Sequence, residues 1–146
     1  MENKIFKQLI ETNARKLNFE KLKTAFVRES DDALVFLIPR KSGYSNLYYL
    51  RLKVALKPAE KNFDKFEFIK HDVGDIMMSI DLDNKELFDL ENDLTDVERT
   101  ERVEIFFKSN VDLWVNNMLS KKRIVELHQK ENFFLLPYAQ SKLGLM

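Results

Sequence analysis

The chain contains no cysteine. That absence removes disulfides, thiolate nucleophiles and cysteine-based zinc sites together. Glycine is scarce too, with only Gly43, Gly74 and Gly144. Loops that cradle nucleotides need closely spaced glycines so that the backbone can approach phosphate, and these three form neither G-x-G-x-x-G nor a Walker loop. His71 and His128 are the only histidines and lie far apart in the chain. No G-x-S-x-G elbow is present. The longest apolar runs, residues 33–38 and 133–138, fall far short of the roughly 20 residues of a membrane helix. The first residues are amphipathic, with neither the apolar core nor the small-residue cleavage site of a signal peptide. A cytoplasmic location with no membrane contact is the expectation.

Net charge is also absent, with 24 basic and 24 acidic side chains in 146 residues. The balance is uneven along the chain. Residues 1–70 carry 15 bases and 9 acids, whereas residues 71–146 carry 9 bases and 15 acids. From Asp72 to Glu104 there are 12 acids against 3 bases. Such asymmetry marks an interaction surface if folding keeps the halves apart. If folding interleaves them the field cancels, which is the plainer expectation because sequence halves need not be spatial halves.

What is present is enough for one domain spanning 1–146. A chain of this length buries about 68–70% of its unfolded surface and needs no covalent staple. Apolar residues make up 45% and include twelve Phe, so the chain is not of the disordered class.

Periodicity sets the elements. Ile5, Phe6, Leu9, Ile10, Ala14 and Leu17 form one stripe of a helix over 3–17, and Asn18 suits the left-handed position after it. Residues 24–28 and 33–38 read as strands around Glu29-Ser30-Asp31-Asp32, and the all-apolar second one as a central strand. Pro39 to Asn46 reads as a loop. The strand over 47–57 alternates cleanly, which predicts one buried and one wet face, and Pro58 ends it. Phe66, Phe68 and Lys70 suggest a fourth strand. Ile76, Met78, Ile80 and Leu82 suggest a fifth, with Asp75, Ser79 and Asp81 on its other face. Thr95-Asp96-Val97-Glu98 is a capping box that starts a helix running to about Leu119. Ser120 caps the next helix, about 121–130. Pro137 starts a last short one that Gly144 closes. The fold class is α+β: an N-terminal helix, an antiparallel sheet of about five strands, and C-terminal helices packed on the sheet.

Three stretches resemble the bacterial domain-of-unknown-function family numbered 4304. They are Leu17-Asn18-Phe19 after the first helix, then Val35 to Ile38 with Lys41-Ser42 and the strand Tyr48 to Leu56, and finally His71 to Ile76. The resemblance implies an α+β fold and a bacterial source. It implies no activity, and only analogy with similar small families points to an immunity-like or antitoxin-like partner.

No constellation commits to chemistry. Asp81-Leu82-Asp83-Asn84-Lys85-Glu86 begins like a calcium loop but lacks the required glycine and the final bidentate Glu. Glu67, His71, Asp72 and Asp75 cluster near one turn, where strand-edge charge is the commoner reading than acid–base catalysis. No cofactor, metal ligand or catalytic residue is assigned. A non-enzymatic binding module is favoured over a small enzyme without a readable motif. Its candidate face is acidic, made of Asp81, Asp83, Glu86, Asp89, Glu91 and Asp93, and suits a basic protein partner. The alternative is a nucleic-acid-associated module through the basic and aromatic 40–57 region, with Tyr44, Tyr49, Arg51, Lys53 and Lys57 available. A sequence pI near 6.8 makes nucleic acid the less expected partner.

Overall fold

The computed structural model describes residues 1–71, 73–131 and 135–145. Helix α1 spans Asn3–Lys16 and buries Phe6, Ile10, Asn13 and Ala14. It stops where the apolar stripe stops. Asn18 takes φ 67°. The Asn18 and Phe19 N–H groups then donate back to the Arg15 and Ala14 carbonyls. This is the paired closure that a left-handed residue after a helix permits. It also turns Phe19 inward, into the core under α1.

Five strands follow in a meander: β1 Glu20–Leu22, β2 Ala25–Glu29, β3 Ala33–Lys41, β4 Tyr48–Leu56 and β5 Ile76–Ser79. Their order in the sheet is their order in the chain, and every neighbouring pair is antiparallel. The strand count matches the expectation, but two members differ. The short edge strand β1 carries no alternation that marks it. The proposed strand at 66–70 is a helix, α2 Lys65–Lys70. Two physical causes explain the switch. Asp64 caps the turn by accepting from the Phe66 and Glu67 N–H groups at 2.8 and 3.3 Å. And β4 already pairs with β3 on one side and β5 on the other, so no edge remains for another segment.

Two further expectations need correcting. Residues 39–41 belong to β3 rather than to a loop, and pair with Leu50, Tyr49 and Tyr48. The last β3 residue that pairs with β2 is Leu37, opposite Phe26. Pro39 therefore sits where the sheet has narrowed to two strands, a place that tolerates its missing N–H. The outer face of β4 is wet only at Tyr49 and Arg51, because Lys53 and Ala55 are buried. The cause is α2, which lies over that half of the face.

The sheet thus has two cores. Ala33, Val35 and Leu37 pack with α1 and the C-terminal helices, while Leu34, Phe36 and Ile38 pack with Phe68 and Ile69 of α2. Gly74 passes so close to β4 that a Cβ there would lie 3.2 Å from the Val54 carbonyl oxygen and 3.0 Å from that of Ile76. No larger residue fits without moving backbone.

The C-terminal layer is α3 Lys85–Phe88 after a 3-10 turn, then α4 Asp96–Phe106, α5 Asp112–Met118, α6 Lys121–Glu131 and α7 Pro137–Lys142. Thr95 caps α4 by accepting from the Glu98 N–H at 3.1 Å, and Ser120 caps α6 through the Arg123 N–H at 3.3 Å. Helices α4 and α5 join through a π turn, Phe107–Val111. The wider turn shifts the helical register, so consecutive Phe106 and Phe107 are both buried. Gly144, at φ 74°, closes α7 as expected. Phe133 and Phe134 lie outside the described residues; Leu135 is core and Leu136 is exposed. Among the described residues no helix is long and apolar enough to cross a membrane.

Helix α7 is anchored to the sheet by a mostly buried ion pair. Asp75 Oδ2 accepts from the Leu56 N–H at 2.7 Å and faces Lys142 Nζ at 3.2 Å, while Lys142 also donates to the Leu56 carbonyl. Removing one partner leaves a sheltered donor and a sheltered charge. Asp75→Ala is expected to lower the unfolding free energy by about 3 kcal/mol. Asp75→Asn, which keeps an acceptor for Leu56, should cost clearly less. Urea denaturation checks both, and equal losses would mean that the Leu56 hydrogen bond contributes nothing.

Candidate functional site

Two charged surfaces survive folding. The first is the acidic segment. Asp83, Glu86, Glu91 and Asp93 are exposed and Asp89 is half-buried. Asp81 departs from the expectation: it is 2% exposed. Strand β5 ends at Ser79, and the turn after it swings Asp81 inward, where its backbone carbonyl accepts from the Asn84 N–H. Asp81 is thus no part of a docking face. Glu86 is also engaged, by Arg102 at 2.6 Å.

The segment is held from below by a cation. Arg99 on α4 is wholly buried. Its guanidinium donates to the Glu86 and Leu87 carbonyls at 3.1 and 2.7 Å and to Asn92 Oδ1 at 2.6 Å. Asn92 returns a bond from Nδ2 to the Glu86 carbonyl at 2.6 Å. Burial pushes the Arg99 pKa down, while the fields of Asp89 and Asp96 act to raise it. The fork geometry of arginine lets one side chain fasten three points of a loop that has little apolar content of its own.

The second surface was not legible as a site. A groove of about 1090 Å³ runs between α1, one end of the sheet and the C-terminal end of α2. Helix α1 contributes Lys4 and Lys7, the β1–β2 hairpin Lys21 and Lys23, β3 Arg40 and Lys41, and the end of α2 Lys70 with His71 just after it. Phe6, Ile10, Phe26, Tyr48 and Ile69 form its apolar floor. Burial raises the Tyr48 pKa, and the Tyr48 hydroxyl donates to Asn3 Oδ1 at 3.0 Å.

Among the described residues that line the groove, seven are Lys or Arg and one, Glu11, is an acid. Hydrogen bonds from Lys21 and then Arg15 hold the Glu11 carboxyl below the usual range. Glu11 is thus committed to those two partners. Among the described residues Lys4, Lys7, Lys41 and Lys70 have no carboxylate partner. Every lining residue comes from positions 3–71. The basic half of the sequence has therefore stayed together in space here, and the expected cancellation does not happen at this place. The excess of bases in residues 1–70 was the one available signal.

The remaining candidates separate. Lys53, named with the 40–57 region, is 4% exposed; its ammonium donates to the Phe68 carbonyl and lies 4.8 Å from that ring's centre. Lys57 pairs with Glu29, holding that carboxyl below its usual range. Tyr44, Tyr49 and Arg51 stay exposed. Of the turn cluster, Asp75 is bound to Lys142, His71 lines the groove, and Asp72 lies outside the described residues. Among the described residues no three acidic or histidine side chains converge on a point where a metal ion would fit. A smaller cavity of about 450 Å³ beside α7 contains Asp75 and Lys142, which are paired with each other.

No family model matches the chain, and no curated protein or solved structure matches it.

The buried arginine gives the acidic segment a testable dependence. Arg99→Leu is expected to cost about 3 kcal/mol by removing three charge-assisted hydrogen bonds and leaving the Leu87 carbonyl without a donor, and to speed amide hydrogen exchange over residues 86–94. Arg99→Lys should fail to restore protection, since one ammonium does not span the fork. Wild-type exchange rates in the lysine variant would show that charge alone holds the loop.

Proposed function

We propose that this chain is a non-catalytic binding module whose basic groove captures an anionic polymer. One observation carries the reading. Four unpaired lysines from three different elements converge on one apolar-floored groove. Like charges gathered this way repel one another, and the repulsion is relieved when an anion enters. A concave, low-dielectric floor strengthens each contact relative to open solvent. Glu11, the one carboxylate among the described lining residues, is tied to Lys21 and Arg15, which suits charge recognition better than proton transfer.

A second reading rests on a separate observation. Asp83, Glu91 and Asp93 remain exposed beside a loop that Arg99 pins in place. A preorganised acidic face of this kind suits a basic protein partner, in keeping with an immunity-like role. Kinship with the family numbered 4304 belongs to this reading as a proposal, and brings no activity with it.

One titration separates the two. Fluorescein-labelled heparin should bind the wild-type chain at low salt and be released as salt rises. Lys4→Glu, Lys7→Glu, Lys41→Glu and Lys70→Glu together should weaken that binding by about a hundredfold or more, in line with several contacts each contributing about 1 kcal/mol. Heparin binding that survives the four changes would overturn the groove reading. Preference for poly-lysine, lost in Asp83→Asn, Glu91→Gln and Asp93→Asn, would install the acidic face in its place.

A further inference from the structure

Resting on the groove as an anion site, we infer that its ligand is single-stranded nucleic acid. The lysines by themselves recognise only phosphate or carboxylate. What narrows the chemistry is the aromatic side chains set beside the same cations.

Phe66 stands on α2 and is 41% exposed, with Lys23 Nζ 4.6 Å from its ring centre. Lys23 itself lines the groove. Tyr49 is 44% exposed and lies directly across the β3–β4 ladder from Arg40, another lining residue. The Arg40 guanidinium donates to the Ile69 carbonyl at 2.8 Å, which ties the rim of the sheet to the end of α2. Each exposed ring therefore has a groove cation as its immediate neighbour. A base stacked on either ring would hold its own phosphate within reach of that cation.

Single strands are bound in this way when sequence is not read. A positive track follows the backbone while aromatic faces accept successive bases. Both rings sit on well-supported elements. Tyr49 is on the strand paired along its whole length with β3, and α2 is fastened through Phe68, Ile69 and the Asp64 cap. Backbone held this firmly loses little further freedom on binding.

Other polyanions use these features less well. A duplex keeps its bases stacked inside and offers the two rings nothing to stack against. An acidic peptide satisfies the lysines but has no flat partner for Tyr49 and Phe66.

Two oligomers of equal charge test the inference on the full chain: a fluorescein-labelled dT 12-mer and an abasic 12-mer with the same phosphates. The thymidine strand is expected to bind about tenfold or more tighter, because two stacked bases at about 1 kcal/mol or more each together add at least that much. Tyr49→Ala with Phe66→Ala should erase the difference and leave abasic binding unchanged. Both sites are exposed, and an unchanged thermal midpoint confirms that the variant is folded. Lys7→Glu with Lys41→Glu should weaken both strands alike. The wild-type salt dependence should have a log–log slope of about −3, as four phosphate contacts on a single strand would give. Equal affinity for the two strands, or tighter binding of poly-glutamate, would overturn the nucleic-acid inference and leave the anion groove standing. Failure of both strands and of heparin at low salt would remove the groove reading itself.

Discussion

Ala33 to Ile38 form a strand with no solvent side, and alternate residues feed two different cores. Val35 and Leu37 face the layer made by α1 and the C-terminal helices. Leu34, Phe36 and Ile38 face α2. Because side-chain direction repeats every two residues, a slip of one position would exchange the two sets and ruin both layers at once. The register with β2 and β4 is therefore fixed from both faces. The groove inherits that fixity, since α1 approaches it from one face of the sheet and α2 from the other.

Charged groups inside the protein act as fasteners where apolar contact is thin. Arg99 holds the loop before α4, Lys142 and Asp75 hold α7 against β4, and Lys53 meets the end of α2. All three join segments of irregular or short structure to a strong element. Buried ionic groups add little net stability compared with apolar packing. What they add here is position, because each reaches a backbone carbonyl at the end of a helix, a turn or a strand.

The two charged surfaces have the same origin. Residues 1–70 build the groove, and the acidic stretch after β5 builds the opposite kind of surface. Contacts do cross between the halves, as Lys16 with Glu104 and the N-terminal ammonium with Asp96 show. These crossings lie along the packing of α1 against α4 and do not reach the four unpaired lysines. A chain of zero net charge can therefore present a strong local field, because the field follows the arrangement of charges and not their sum.

Much of the fold was written locally. The Asn18 closure of α1, the Thr95 and Ser120 caps, the Gly144 stop and the doubly buried strand at 33–38 all depend on a few adjacent residues. The sequence by itself determined these, since caps, turns and periodicity act over one or two turns of chain. It also held the uneven charge, visible as an excess of bases before residue 70. Only the tertiary structure decided that 65–70 coils instead of extending, because that depends on whether β4 has a vacant edge. Only it turned Asp81 inward and buried Lys53, because those depend on where a strand stops and what covers it. And only it gathered Lys4, Lys7, Lys41 and Lys70 into one groove, since residues so far apart in sequence meet through strand order and helix placement, which no local pattern encodes.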